Sequence, residues 1–185
     1  GQFCFCRDVT IERTFEHQIW ISANTDALTG LYNRRFFYEY MNENRKENQL
    51  SLLYVDLDDF KKVNDAHGHH IGDGALELVA RLMREAFPGD FIVRLGGDEF
   101  LICLVGERSL AFLEEKANRL LQSLLEAFQV SDYLRVMSAS IGIASSADPG
   151  TKLDDLVRQS DIAMYAAKQS GKSRCCVYSP GLIKK

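Results

Sequence analysis

The sequence predicts a mixed α/β (α+β) domain with a β-α-β-β-α-β core, and three observations lead there. Ser51-Leu52-Leu53-Tyr54-Val55-Asp56-Leu57 is an apolar run that ends in acids, as a buried strand at a sheet centre would. Phe91-Ile92-Val93 and Phe100-Leu101-Ile102-Cys103-Leu104 flank Arg94-Leu95-Gly96-Gly97-Asp98-Glu99, two strand-like segments around a Gly-Gly turn. That is the pattern of a hairpin. Leu76, Val79, Ala80 and Met83 recur at helical spacing between the first strand and the hairpin.

The elements follow in order. Residues 3–10 read as a strand running into a polar stop. Ile11, Phe15 and Ile19 lie four apart in a helix from about Ile11 to Ala23, too short to be stable alone. Asn24-Thr25-Asp26 breaks that pattern, and a helix is expected from about Arg34 to Lys46. The strand at 51–57 comes next, then a helix over Gly72 to Ala86, the hairpin, and a helix over Ser109 to Phe128. Leu134 to Ala144 alternates Val136, Ser138, Ser140 and Gly142 with Arg135, Met137, Ala139 and Ile141, as a strand does. A helix from Leu153 to Ser170 closes on Gly171 as its C-cap, and Cys175 to Tyr178 reads as an edge strand.

This order is the ferredoxin-like or palm arrangement, with an extra C-terminal helix and edge strand. In its usual strand order the first and third core strands are adjacent, antiparallel and central. Asp56 and Asp98-Glu99 then converge at one sheet end, and several carboxylates meeting there need a counter-ion.

With 185 residues, 46% of them apolar and 26% charged, the chain is globular and of single-domain size. A net charge of −4 argues against a nucleic-acid polymer as partner. Five cysteines with no CxxC spacing read as free thiols in a reducing, cytoplasmic setting. No apolar run approaches the ~20 residues that span a bilayer. No membrane contact is expected of this stretch, although a longer parent with a sensor or an anchor is compatible with it.

Asp56 falls on the strand face of Leu52 and Tyr54, where burial without a partner is costly. Asp98 is expected to share a face with Phe100 and Ile102, and Glu99 to point the other way. That makes Asp56 and Asp98 the expected metal pair, with Glu99 nearby but distinct. Lys61 suits a phosphate as a point charge, set against a merely solvated helix face for Lys61 and Lys62. His67, His69 and His70 lack the spacing of a helical zinc site. Asp73 reads either as a charge favouring a helix start or as an acceptor for guanine N1–H and N2–H₂, with Asn64 adding an amide. Lys168 and Lys172, four apart, either complement a helix dipole or reach a terminal phosphate.

Six stretches resemble the GGDEF family of diguanylate cyclases, in the right order and over residues 24–180. They are Asp26-Ala27-Leu28-Thr29-Gly30-Leu31-Tyr32-Asn33-Arg34-Arg35, the segments 56–65, 67–73 and 94–100, Ser140-Ile141-Gly142-Ile143-Ala144, and 161–172. The resemblance implies an enzyme that uses Mg²⁺, or Mn²⁺, to condense two GTP into cyclic di-GMP and two pyrophosphates as a homodimer. Asp56, the Leu57 carbonyl and Asp98 would hold metal, and Asp98, Glu99 and Lys61 would serve the chemistry. Phe60, Asn64, His69, Asp73, Lys168 and Lys172 would contact substrate. Many members carry arginine in place of Lys172, so a lysine there implies a weaker, monodentate contact.

Residues 1–23 would be the end of a PAS-type sensor with its signalling helix, and 24–185 the cyclase. At the family's product-inhibition site, an Arg-x-x-Asp, this chain has Phe87-Pro88-Gly89-Asp90. Phe87 can stack on a base but donates nothing to a phosphate, so the inhibitory site is expected to be degenerate. The rival expectations are a catalytically silent GGDEF module that binds GTP or cyclic di-GMP, and an unrelated palm-like nucleotidyl transferase. Asp56, Lys61, Asp98 and Glu99 are all in place, which argues against the first, and the second leaves the Asp26 to Arg35 segment unexplained.

Overall fold

The structure, a computed structural model, describes residues 9–45, 48–146, 148 and 150–182. Of the strand expected over residues 3–10, residues 3–8, with Cys4 and Cys6, lie outside them. Residues 9 and 10 are helical rather than extended: α1 runs from Val9 to Asn24. Then come β1 (Tyr32–Asn33), α2 (Arg34–Asn44), β2 (Leu50–Asp58), α3 (Phe60–His67), α4 (His69–Ala86), β3 (Phe91–Gly96), β4 (Glu99–Val105), α5 (Leu110–Val130), β5 (Ser138–Ser145), α6 (Leu153–Gln169) and β6 (Arg174–Val177). The strands form one sheet in the order β1-β3-β4-β2-β5-β6. β2 is central and antiparallel to both β4 and β5, as the ferredoxin-like reading requires.

All nine residues of β2 are buried because helices cover both faces of the sheet. Leu53, Val55 and Leu57 pack with Leu76, Val79 and Met83 of α4 and with Leu113, Leu120 and Leu124 of α5. On the other face, Leu52 and Tyr54 pack with Phe37 and Met41 of α2 and with Leu156 and Met164 of α6. A strand covered on both sides shows no polar alternation, hence its continuous apolar run. Asn33 caps α2 by accepting from Phe36 N at 2.9 Å, and Ser109 caps α5 by accepting from Phe112 N at 3.2 Å.

Four local expectations change. Residues 134–137 are turns, with Met137 N donating to Leu134 O at 2.8 Å, because both of those side chains are anchored in the core. α3 was expected only as a solvated helix face for Lys61 and Lys62, and the two-residue β1 not at all; both are too short to show a period. α4 begins at His69, so Asp73 lies past its first turn and is not a dipole complement there. Ser170 is the C-cap of α6, and Gly171, with φ 113°, follows it.

Gly142 sets the height of α6 above the sheet. A Cβ on it would lie 2.0 Å from Ser160 O and 2.1 Å from Met164 N. The helix therefore rests backbone to backbone on β5, which brings Lys168, one turn past Met164, down to the carboxylate end of β2.

Candidate active site at the end of the central strand

Register decides which acids meet. Asp56 pairs with Glu99 of β4 and with Ser140 of β5, and residues directly opposite in a sheet share a face. Glu99 therefore sits on the face of Asp56: it points away from Phe100 and Ile102 as expected, but the face of Asp56 is that of Glu99 and not the expected one of Asp98. Asp98 belongs to the turn that precedes β4, and its carbonyl accepts from Leu57 N at 3.2 Å. The sequence shows alternation within a strand but not whether even residues of one strand oppose even or odd residues of the next.

Tyr54, one pair further in, donates its hydroxyl to Glu99 Oε1 at 3.1 Å. Burial and the neighbouring Glu99 push the Tyr54 pKa up. Lys168 Nζ lies 2.6 Å from Asp56 Oδ1, as an ion pair rather than a well-directed hydrogen bond. Burial raises the Asp56 carboxyl to about 6, with Asp98 and Glu99 adding to the rise and Lys168 opposing it. The Leu57 side chain is in the opposite core, so only its carbonyl is left for a ligand.

Asp58 was not singled out by the sequence. It is buried at the last position of β2, where Ser138 Oγ (2.7 Å), Ser140 Oγ (2.9 Å) and Ser173 N (3.3 Å) all donate to it. The only sequence signal was the pair of serines alternating on one face of the β5 segment. Asp59 follows in the left-handed region with φ 60° and stands at the N-terminus of α3. Lys62 (2.8 Å) and Lys172 (3.1 Å) pair with it. The hydrogen bond from Lys62 is the main reason its carboxyl lies below the usual range; burial opposes this and Lys172 adds to it.

The remaining expected site residues surround this end. Lys61 is exposed in the first turn of α3, while the Phe60 ring belongs to the core, leaving its backbone for any substrate contact. Asn64 Oδ1 is buried without a hydrogen-bond partner. Its amide lies against Gly72, where a Cβ would meet Oδ1 at 1.9 Å. Asp73 is exposed beside Gly72, and His69 is exposed at the first residue of α4.

A second feature missed from sequence holds the Gly-Gly turn. Arg94 Nη1 donates to both Asp26 oxygens (3.0 and 3.2 Å), and its Nε and Nη2 donate to Gly97 O (3.1 and 2.7 Å). Asp26 also accepts from Thr29 N (2.8 Å) and Thr29 Oγ1 (2.7 Å). Burial raises its carboxyl, but the bonds from Thr29 and Arg94 prevail and leave it below the usual value. The available signal was an aspartate three residues before a threonine, a common local turn.

The expected degenerate inhibitory pair falls elsewhere. Phe87 is 1% exposed within the core, and Lys116 Nζ, 5.5 Å from its ring centre, donates to Ala86 O at 3.0 Å. The ring is therefore not free to stack on a base, which corrects that part of the sequence reading. Asp90 is half-buried, and burial raises its carboxyl against the pull of Arg108 and Lys116.

Residues 23–174 match the family described as "Diguanylate cyclase, GGDEF domain". The chain belongs to the GGDEF domain family. It is similar to a protein of Escherichia coli K12 named cyclic di-GMP phosphodiesterase PdeR, at 38% identity over 96% of this chain and 27% of that one. Similarity to the E. coli probable diguanylate cyclase DgcE is 34% over 97% of this chain and 17% of that one. The solved coiled coil and GGDEF domain of DgcB from Caulobacter crescentus, in complex with c-di-GMP, superposes with a TM-score of 0.80. That match has 28% identity and covers 91% of this chain and 94% of the other. This GGDEF domain thus spans about a quarter or less of those two E. coli relatives. No helix among its described residues is long and apolar enough to cross a membrane.

Proposed function

We propose that this GGDEF domain is a diguanylate cyclase that condenses two GTP into cyclic di-GMP with release of two pyrophosphates. The observation that supports it most is the end of β2. Asp56, held at about 6, faces Glu99 and stands close to Asp98, with Lys168 as its ion-pair partner. Such a site demands positive charge. Among the described residues no three His, Cys, Asp or Glu side chains form a ready-made cage. That suits Mg²⁺, or Mn²⁺, bound through one or two carboxylates and a nucleotide's phosphates. Asp56, Asp98 and the Leu57 carbonyl would hold it, and when bound it would neutralise charge on the transferring phosphate.

The remaining roles fall to the chain's own groups. Lys168 and Lys172 rest on Asp56 and Asp59 and exchange those carboxylates for phosphate oxygens when a triphosphate binds. Lys61 adds a further cation from the first turn of α3. Asp73 accepts from guanine N1–H and N2–H₂, donors that adenine lacks, and the unpartnered Asn64 Oδ1 supplies a second acceptor. The attacking 3′ oxygen of one GTP loses its proton to Asp98 or Glu99, bonds to the α-phosphorus of the other GTP, and pyrophosphate departs. One site holds one nucleotide, so closing both linkages takes two copies facing each other. α1, with Phe15 and Ile19 exposed, is a means of pairing them and of connecting to an upstream sensor. Free thiols at Cys103, Cys175 and Cys176 suit the cytoplasm.

The phosphodiesterase name of the PdeR relative favours one second reading, a catalytically silent module that binds GTP and signals by contact. Incubating the chain with GTP and Mg²⁺ and resolving the products separates the two. Cyclic di-GMP with two pyrophosphates each supports the cyclase. GTP binding without turnover supports the silent module.

A further inference from the structure

Gly171 (φ 113°), Lys172 (φ 61°) and Ser173 (φ 49°) are three successive residues in the left-handed region, and two of them carry side chains. Such residues are rare singly and need an external hold. Part of that hold is local. Lys172 N donates to Ala167 O at 3.1 Å and Gly171 N to Lys168 O at 3.2 Å, closing α6. Arg174 Nε donates to Lys172 O at 3.0 Å.

The remaining hold comes from across the sheet, where Asp58 Oδ2 accepts Ser173 N at 3.3 Å. Asp58 is fixed in turn by the β5 hydroxyls of Ser138 and Ser140, so the anchor is rigid. The anchored turn aims Lys172 Nζ at Asp59, 3.1 Å from both carboxylate oxygens, beside the start of α3.

We propose that Asp58 is a positioning residue: through Ser173 it locks the left-handed turn after α6 and so aims Lys172 at the triphosphate. This rests on the reading of the site as a GTP site. Lys168 is placed independently, by the seating of α6 on Gly142, so of the two lysines only Lys172 depends on the Asp58 carboxylate for its aim.

The test uses 3′-deoxy-GTP, which cannot cyclise, and 3′-deoxy-GMP, titrated calorimetrically with Mg²⁺ into the chain. Asp58→Ala is expected to weaken triphosphate binding by about tenfold, the scale of one charged contact, and to leave the monophosphate nearly unchanged. In a Lys172→Ala background the same substitution should cost nothing more. Asp58→Asn should restore affinity, because one oxygen can still face Ser173 while the amide donates to Ser140. If Asp58→Ala does not fold, Asp58→Ser keeps a hydroxyl among the β5 serines but is too short to reach Ser173, and should show the same loss.

Equal losses for both nucleotides, or additive losses with Lys172→Ala, would assign Asp58 a purely structural role and overturn the proposal. A parent chain that binds triphosphate, with folded variants that bind it equally well, overturns this inference alone. A parent that binds neither nucleotide overturns the functional reading and this inference with it.

Discussion

Asp56 and Asp58 stand two residues apart on one face of β2, and both are buried, at 7% and 1% exposure. Their surroundings are opposite. Asp58 is met by two hydroxyls and a backbone N–H, as a buried carboxylate should be. Asp56 is met by one lysine and crowded by Asp98 and Glu99. One acid is satisfied by the fold; the other carries its charge against burial and two neighbouring carboxylates, with Lys168 alone opposing them. A pair so alike in sequence and so unlike in environment separates a residue that builds the site from one that, on the proposed reading, operates it.

The largest expected effect lies on Asp56. Asp56→Asn or Asp98→Asn should lower cyclic di-GMP formation by about 10²–10³-fold or more, the scale of a lost electrostatic group at a reacting centre. Circular dichroism should stay native. A folded Asp56→Asn chain that turns over GTP at the parent rate would break the assignment.

Next comes a contrast in sign. The folded Asp56 carboxyl binds its proton more tightly than the unfolded one, about 6 against 3.8. Its contribution to stability is therefore full below pH 3.8 and is lost as pH rises through 6. A difference of about two units corresponds to ~3 kcal/mol. In EDTA at pH 7.5, Asp56→Asn should thus raise the unfolding free energy, by at most about that amount, and flatten its slope between pH 4 and 6. Asp58→Ala should instead lower the unfolding free energy, by about 3 kcal/mol, because several buried donors lose their acceptor. Urea titrations across that pH range measure both, and two shifts of the same sign would undo the comparison.

A smaller effect is expected where the acid is satisfied at the surface. Arg94→Ala should cost about 1–2 kcal/mol in stability through its lost bonds to Asp26 and Gly97. It should also raise proteolytic nicking near the Gly-Gly turn. An unchanged turn in limited proteolysis would show that the segment after α1 and the hairpin are not tied there. Smallest of all, Asp90→Ala should change cyclic di-GMP affinity by less than about threefold. A neighbour buried in the core gives it no partner for clamping an anion. Abolished binding in that variant would restore the inhibitory site.

The order of the core strands and the longer helices, the hairpin, and the gathering of Asp56, Asp98 and Glu99 at one sheet end were legible in the sequence. Apolar period and Gly-Gly turn chemistry are local properties. The Asp26 to Lys172 motifs also carried the family without coordinates. Only the tertiary structure decided that Glu99 rather than Asp98 shares the face of Asp56. Register is a relation between segments more than forty residues apart, and no single strand encodes its parity. For the same reason the donors to Asp58, the tie from Arg94 to Asp26 and the burial of Phe87 were not legible. Each depends on which distant atoms packing brings within hydrogen-bond or van der Waals reach, a distance that the chain acquires only when both sheet faces close.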